Sequence, residues 1–195
     1  MLRIGITGGI GSGKSTAAGI FGVLGIPVYS SDDASKRLMV EDENLKENII
    51  KYFGESSYEN GSLNRKYLAG QVFNDPKKIA LLNSLVHPAT IYDARKWMEK
   101  QKSAYVIKEA ALIFESGSNK NLDYVIGVQS PKELRIERAT KRDNVTRKEI
   151  EARMKLQMDE DEKMKRCDFV IVNDEQQMLI PQVISLHEKF MKEGR

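Results

Sequence analysis

Residues 2–16 read Leu2-Arg3-Ile4-Gly5-Ile6-Thr7-Gly8-Gly9-Ile10-Gly11-Ser12-Gly13-Lys14-Ser15-Thr16, an apolar run that passes into a glycine loop. Gly8 through Ser15 satisfies G-x-x-x-x-G-K-[ST]. It stands between a β-type run, Leu2 to Thr7, and a helical pattern that continues through Leu24. Glycines let successive backbone N–H groups turn inward toward phosphate oxygens, and the helix start adds partial positive charge at the same point. The pattern assigns Gly11, Ser12, Gly13, Lys14, Ser15 and Thr16 to a nucleoside triphosphate. Lys14 is expected to reach the β- and γ-phosphates, and the Ser15 hydroxyl is the expected ligand of Mg2+. The loop is silent on what receives the phosphate.

Outward from the loop, Ile26 to Tyr29 reads as a second strand, closed by Ser30-Ser31-Asp32-Asp33. That polar cluster also suits the N-cap of a helix beginning near Ala34. From there to about Lys102 the chain reads as helical and charged, interrupted at 54–64 by Gly, Ser and Asn and again at Pro76 and Pro88. Pro88 predicts a helix boundary. Strand-like runs return at 104–108 and 124–128, a long charged helical stretch spans 131–166, and a last strand at 169–172 precedes a helix over about 177–192. Strands alternating with helices predict a parallel sheet covered on both faces. The two long helical stretches are excursions from it.

Composition narrows the class. The 195 residues carry 31 Lys plus Arg against 28 Asp plus Glu, a net +3, with 41% apolar and 30% charged residues. This excludes intrinsic disorder, and no apolar run approaches the roughly 20 residues that span a bilayer. No secretory signal is expected. The lone Cys167 cannot form an internal disulfide, which fits a reducing cytosol. A net +3 gives too weak a field to predict nucleic acid as a partner. His187 and Cys167 have no metal-ligand spacing, so no zinc site is predicted.

Several residues are candidates for the acceptor side. Open α/β sheets bind ligands beyond the C-terminal ends of their strands. Asp32, just past strand two, suits either a base that takes the acceptor's proton or a helix cap, with Asp33 the alternative cap. Glu109, ending strand three, suits either a group near the metal or a solvated strand end. Arg135, Arg138 and Arg142 share one helix face by their spacing. They suit a lid that closes over a transferred phosphoryl group, or a solvated basic face; Arg153 and Gln157 lie one turn apart further along. His87 reads as a structural hydrogen-bonding residue and Trp97 as core.

Taken in order, these pieces resemble the dephospho-CoA kinases. The resemblance runs nearly end to end: Ile6 to Thr16, Gly61-Ser62-Leu63-Asn64-Arg65 with Leu68 and Phe73, His87-Pro88, Arg138 to Asp143, Gln157, and Asp168-Phe169-Val170-Ile171-Val172-Asn173. It implies that Asp32 is the base activating the ribose 3′-hydroxyl of dephospho-CoA. It also implies that Arg65 and His87 fall in the CoA-accepting excursion, that Arg138 and Arg142 are lid arginines, and that Asn173 lies where the nucleotide base is approached. Three positions depart from the family pattern. Ser30 stands where a first Asp is common, Ala111 replaces Pro in Glu109-Ala110-Ala111-Leu112-Ile113-Phe114-Glu115, and Cys167 replaces Ala before Asp168.

The expected architecture is an α/β, three-layer P-loop NTPase of the nucleotide-kinase type. Its parallel five-stranded sheet would carry a core of about 1–33, 103–130 and 167–195, a CoA-accepting helical insertion at about 34–102 and a lid at about 131–166. Expected cofactors are ATP and Mg2+, and the expected catalytic set is Asp32, Lys14, Arg138 and Arg142. Asn173 joins the loop in binding nucleotide, and Asp32, Arg65, His87 and Glu109 bind substrate. The expected protein is a cytoplasmic monomer acting on dephospho-CoA. A kinase for another small hydroxyl substrate such as a nucleoside, and a nucleotide switch, are the competing readings. The switch lacks a guanine-reading Asn-Lys-x-Asp, since Asn119-Lys120 is followed by Asn121-Leu122.

Overall fold

The computed structural model describes residues 1–72 and 75–194; Phe73, invoked by the family resemblance, lies outside the described residues. In chain order the elements are β1 (Leu2–Thr7), α1 (Lys14–Val23), β2 (Val28–Ser30), α2 (Ser31–Glu41), α3 (Glu43–Phe53), β3 (Tyr58–Glu59), β4 (Ser62–Leu63) and α4 (Arg65–Val72). There follow α5 (Pro76–Glu99), β5 (Tyr105–Glu109), β6 (Tyr124–Gln129), α6 (Lys132–Asp143), α7 (Arg147–Met154), α8 (Glu160–Lys165), β7 (Phe169–Val172) and α9 (Leu179–Glu193). They group into two units, one of Met1–Ser30 with the chain from Met98 onward, the other of Ser31–Trp97.

The first unit is built on one five-stranded sheet in the order β2-β5-β1-β6-β7. Every pairing is parallel, with Leu2 opposite Tyr105 on one side of β1 and Ile4 opposite Tyr124 on the other. Parallel neighbours require crossover connections, which the helices supply. Ile4, Ile6, Ile107, Ile126, Val128 and Ile171 are buried with Ala17, Ala18 and Phe21 of α1 and with Val183 and Phe190 of α9. The opposite face of β1 and β6 presents Gly5, Val125 and Gly127, covered by Ile113 and Leu122 and by Met164 of α8. Helices and ordered chain therefore close the sheet from both sides, as an all-parallel sheet requires. Inside this core the Tyr105 ring meets Phe21 and Phe190 edge-on, and its hydroxyl lies 2.7 Å from His187 Nδ1, so the buried phenol is satisfied.

The second unit has its own core of Leu38, Leu45, Ile49, Phe53, Leu68 and Val86. Asp42 caps α3 by accepting the Leu45 N–H at 3.0 Å. Tyr67 Oη donates to the Phe53 carbonyl at 2.9 Å, tying α4 to the end of α3.

Four local expectations are corrected. The Gly/Ser/Asn stretch at 54–64 holds an antiparallel hairpin, β3 with β4, turned at Asn60 and Gly61, whose φ of 50° and 77° meet the left-handed demand of a two-residue turn. Pro88 does not end a helix. It lies inside the 24-residue α5, exposed, where Val86, Ala94 and Met98 are buried on either side; packing along the helix outweighs the one backbone bond that proline removes. The charged stretch at 131–166 is three helices. Asn144 in the left-handed region ends α6, a capping box of Thr146 and Glu149 starts α7, and Asp159 caps α8. Finally α2 begins at Ser31, so Asp33 is not its cap; Asp32 and Asp33 both lie in the first turn, where the helix dipole favours carboxylates. Among the described residues, no helix is long and apolar enough to cross a membrane.

Candidate functional site

Strand β1 is the central strand, and its C-terminal end delivers the chain into the glycine loop at 8–13. Gly13, at φ 89°, turns the chain into α1, a conformation that side chains rarely adopt, and its missing side chain makes room for the Asn173 amide. Lys14 and Ser15 then occupy the first turn of the helix, where backbone N–H groups have no intrahelical acceptor. Thr16 follows, exposed, in the same turn.

Glu109 ends β5, the neighbouring strand, and is buried with 4% exposure. Its Oε1 lies 3.7 Å from Lys14 Nζ and accepts a hydrogen bond from Ser15 Oγ at 3.2 Å. The register explains the meeting: Ile6 of β1 stands opposite Glu109, so the two strand ends reach the loop together. A buried carboxylate, an ammonium and a hydroxyl thus converge where the helix N-terminus is positive. Ser12 Oγ, in the same loop, is buried without a hydrogen-bond partner among the described residues.

Asn173 follows β7 and donates its side-chain amide to the Ser12 carbonyl at 2.8 Å. It therefore braces the loop from the opposite side to Glu109. The three arginines of α6 part company. Arg138 reaches Ser130 Oγ and the Asn173 carbonyl, both at 3.2 Å, and Glu175 at 3.1 Å. Arg142, one turn on, is exposed and pairs with its neighbour Asp143 at 2.7 Å. Arg135 turns inward, 7% exposed, to Glu160 at 3.0 Å.

The remaining predicted residues belong to the second unit. Asp32 is exposed in the first turn of α2, two residues beyond the last residue of β2. Arg65 opens α4 and is exposed, and His87 is half-buried in α5.

The chain as a whole is similar to known proteins. The family model of dephospho-CoA kinases matches residues 2–178. The chain belongs to the dephospho-CoA kinase family. A dephospho-CoA kinase of Bacteroides fragilis (strain YCH46) is 38% identical over 186 residues, covering 95% of this chain and 91% of the relative. The solved dephospho-CoA kinase from Campylobacter jejuni superposes with a TM-score of 0.71 at 28% identity, covering 99% and 98% of the two chains. A shikimate kinase from Acinetobacter baumannii shares the fold alone, with a TM-score of 0.58 at 14% identity over 99% of this chain and 94% of the other. The fold is that of the P-loop kinases.

Next to the loop of this kinase stand residues that the sequence did not single out. Glu160 of α8 accepts from Arg135 Nη1 at 3.0 Å, close beside Gly9. Burial pushes its carboxyl up, against the opposing pull of Arg135 and Lys163. Lys163, one turn later and fully buried, donates to the Ala111 carbonyl at 2.9 Å and pairs with Glu115 at 3.1 Å. The i, i+3 spacing of Glu160 and Lys163 was visible; what each would meet was not.

Proposed function

We propose that this kinase transfers the γ-phosphoryl group of ATP to the ribose 3′-hydroxyl of dephospho-CoA, giving coenzyme A and ADP, the last step of coenzyme A synthesis. The observation that carries the reading is the convergence of Lys14, Ser15 and Glu109 on the glycine loop, in a chain of this family. The N–H groups of Gly11 to Thr16 would hold the phosphates, with Lys14 as their fixed charge. Mg2+ fits this donor set: Ser15 Oγ and Glu109 Oε1 are hard oxygens already in contact at 3.2 Å. When bound, it neutralises charge on the phosphate oxygens.

Phosphoryl transfer needs positioning and charge stabilisation more than covalent help. Asp32, as the base, would take the proton of the acceptor hydroxyl. Arg138 and Arg142 would meet the charge that spreads over the transferred group, Arg65 and His87 would bind dephospho-CoA, and Asn173 would keep the loop in register beside the nucleotide. The lone cysteine and the absence of a spanning helix among the described residues support a cytoplasmic setting.

The test is to incubate the protein with ATP, Mg2+ and dephospho-CoA and to look for coenzyme A by mass. Faster phosphorylation of a nucleoside, or acceptor-independent GTP hydrolysis, would replace the proposal with one of its competitors. In the same assay Asp32→Asn is expected to lower kcat by about 10²–10⁴-fold with little change in KM.

A further inference from the structure

The glycine loop begins with a turn that is held from outside. Ser12 donates its N–H to the Gly9 carbonyl at 3.1 Å, which closes a four-residue turn with Ile10 and Gly11 at its corners. Gly11 has φ 78°, the left-handed second corner of a type II turn. It also lies so close under the Arg135 backbone that a methyl group there would overlap the Arg135 carbonyl, so α6 backs the turn. Ile10, the first corner, is engaged twice. Its side chain packs with Ile136, Ala139 and Ile150 in the seam between α6 and α7, and its N–H donates to Gln157 Oε1 at 3.0 Å.

Gln157 is itself fixed. It follows α7, where its N–H donates to the Met154 carbonyl at 3.1 Å, and the next residue, Met158, donates its N–H to the Glu115 carboxylate at 2.8 Å. Glu115 is held in turn by the buried Lys163 at 3.1 Å. Arg153, one turn earlier, takes no part and pairs with Asp143 at 2.9 Å. We infer that Gln157 is a positioning residue for ATP: by accepting the Ile10 N–H it holds the turn at 9–12, and so sets the direction in which the N–H groups of residues 11–16 face the phosphates. Gln157 has this role on the reading of the loop as the ATP site, proposed above. It touches no phosphate and acts only through the Ile10 amide. An N–H left without its acceptor frees the turn to take other curls, and the affinity for ATP falls with the share of loops that keep the competent one.

Gln157→Met keeps a side chain of similar size and removes the acceptor. The same bond is removed from its other end by an ester in place of the Gly9–Ile10 peptide, built in with the α-hydroxy analogue of isoleucine. That change also weakens the Gly9 carbonyl as an acceptor for Ser12, so the two changes are made singly and together in the full-length chain. Each protein is titrated with ATP by calorimetry, with no dephospho-CoA present, after a thermal melt has shown that it is folded. Gln157→Met is expected to bind ATP about threefold to fivefold more weakly than wild type. In the ester chain the same substitution should cost less than about twofold, because the donor that Gln157 serves is already gone.

In turnover, Gln157→Met should raise the KM for ATP in the same ratio while the KM for dephospho-CoA and kcat stay within about twofold, because the loop binds ground and transition states alike. A variant that binds ATP like the wild type overturns the inference. So does an equal loss in the peptide and ester chains, which would mean that Gln157 acts elsewhere than at Ile10. If Gln157→Met does not fold, the ester alone decides, and a loss of affinity below about threefold overturns the inference. Wild-type protein that binds ATP but forms no coenzyme A would refute the proposed function and leave this inference standing.

Discussion

Lys163 is the most enclosed charge in the molecule's described part, with no exposed surface, and its replacement by Met gives a sharp energetic expectation. Its ammonium bridges the Ala111 carbonyl at 2.9 Å and Glu115 Oε1 at 3.1 Å. Met keeps the volume and removes both bonds. Losing one partner of a buried pair costs about 3–5 kcal/mol when the surviving charge is sealed from water. Here the survivor is partly relieved: Glu115 keeps 20% exposure and still accepts the Met158 N–H at 2.8 Å. The Ala111 carbonyl also keeps the Thr7 hydroxyl, at 3.2 Å. The low end of the range, about 3 kcal/mol, is therefore expected. For a chain of this size about 2–4 °C of midpoint accompanies each kcal/mol, so Lys163→Met should melt about 6–12 °C lower by circular dichroism. Adding Glu115→Gln removes the stranded charge and should restore more than half of the loss. A single variant that melts within about 2 °C of wild type, or a double variant that melts lower still, would refute the reasoning.

Three further outcomes are expected. Burial in β5 pulls the Lys108 ammonium from its ordinary 10.5 down to about 8. Between those values the unfolded chain holds the extra proton, so stability should rise with pH from about 8 to about 10.5, and below that window the group costs about 3 kcal/mol. Lys108→Met should raise the denaturation midpoint at pH 7 and flatten that rise; an unchanged pH profile by urea titration would contradict the assignment. Burial, with Asp168 alongside, pushes the Cys167 thiol up to about 12. At pH 8 native protein should react slowly with a thiol reagent and the denatured chain promptly, so equal rates would show that the site is open. Asn173→Ala loses the amide bond to the Ser12 carbonyl and should raise the KM for ATP about fivefold with the acceptor KM unmoved. An acceptor KM that changed in step would mean Asn173 acts elsewhere.

The parts legible in the sequence were those encoded over short stretches. The loop at 8–15 is a local motif with a local mechanism. The five strands of the sheet are apolar runs bounded by turn residues, found to within one residue at each end except at β2, which starts at Val28 instead of Ile26. Two further features are local as well: Asn60-Gly61 is a two-residue hairpin signal and Thr146-x-x-Glu149 a capping box, each lying inside a longer polar or charged stretch. At Pro88 the local rule is sound, but the packing of Val86, Ala94 and Met98 decided otherwise. Arg135 with Glu160, and Lys163 with Ala111, lie 25 and 52 residues apart. No periodicity announces such pairs, because what brings them together is the closing of the sheet and not the pitch of a helix.

The strand order has a kinetic face as well. β1 leaves the ribosome first, yet its two neighbours in the sheet begin at Tyr105 and Tyr124. At synthesis rates of about 5–20 residues per second the first strand waits roughly 5–20 s for its first partner, and closing so long a loop is slow in refolding too. The core of the second unit, from Leu38 to Val86, needs only chain already made and is free to form in that interval. The glycine loop, hung from β1 and braced by Glu109 and Asn173, is complete only when nearly the whole chain has been threaded. Nucleotide binding should be the last property to return after denaturation, and ATP, which meets its site only in the finished molecule, should draw the folding equilibrium toward it.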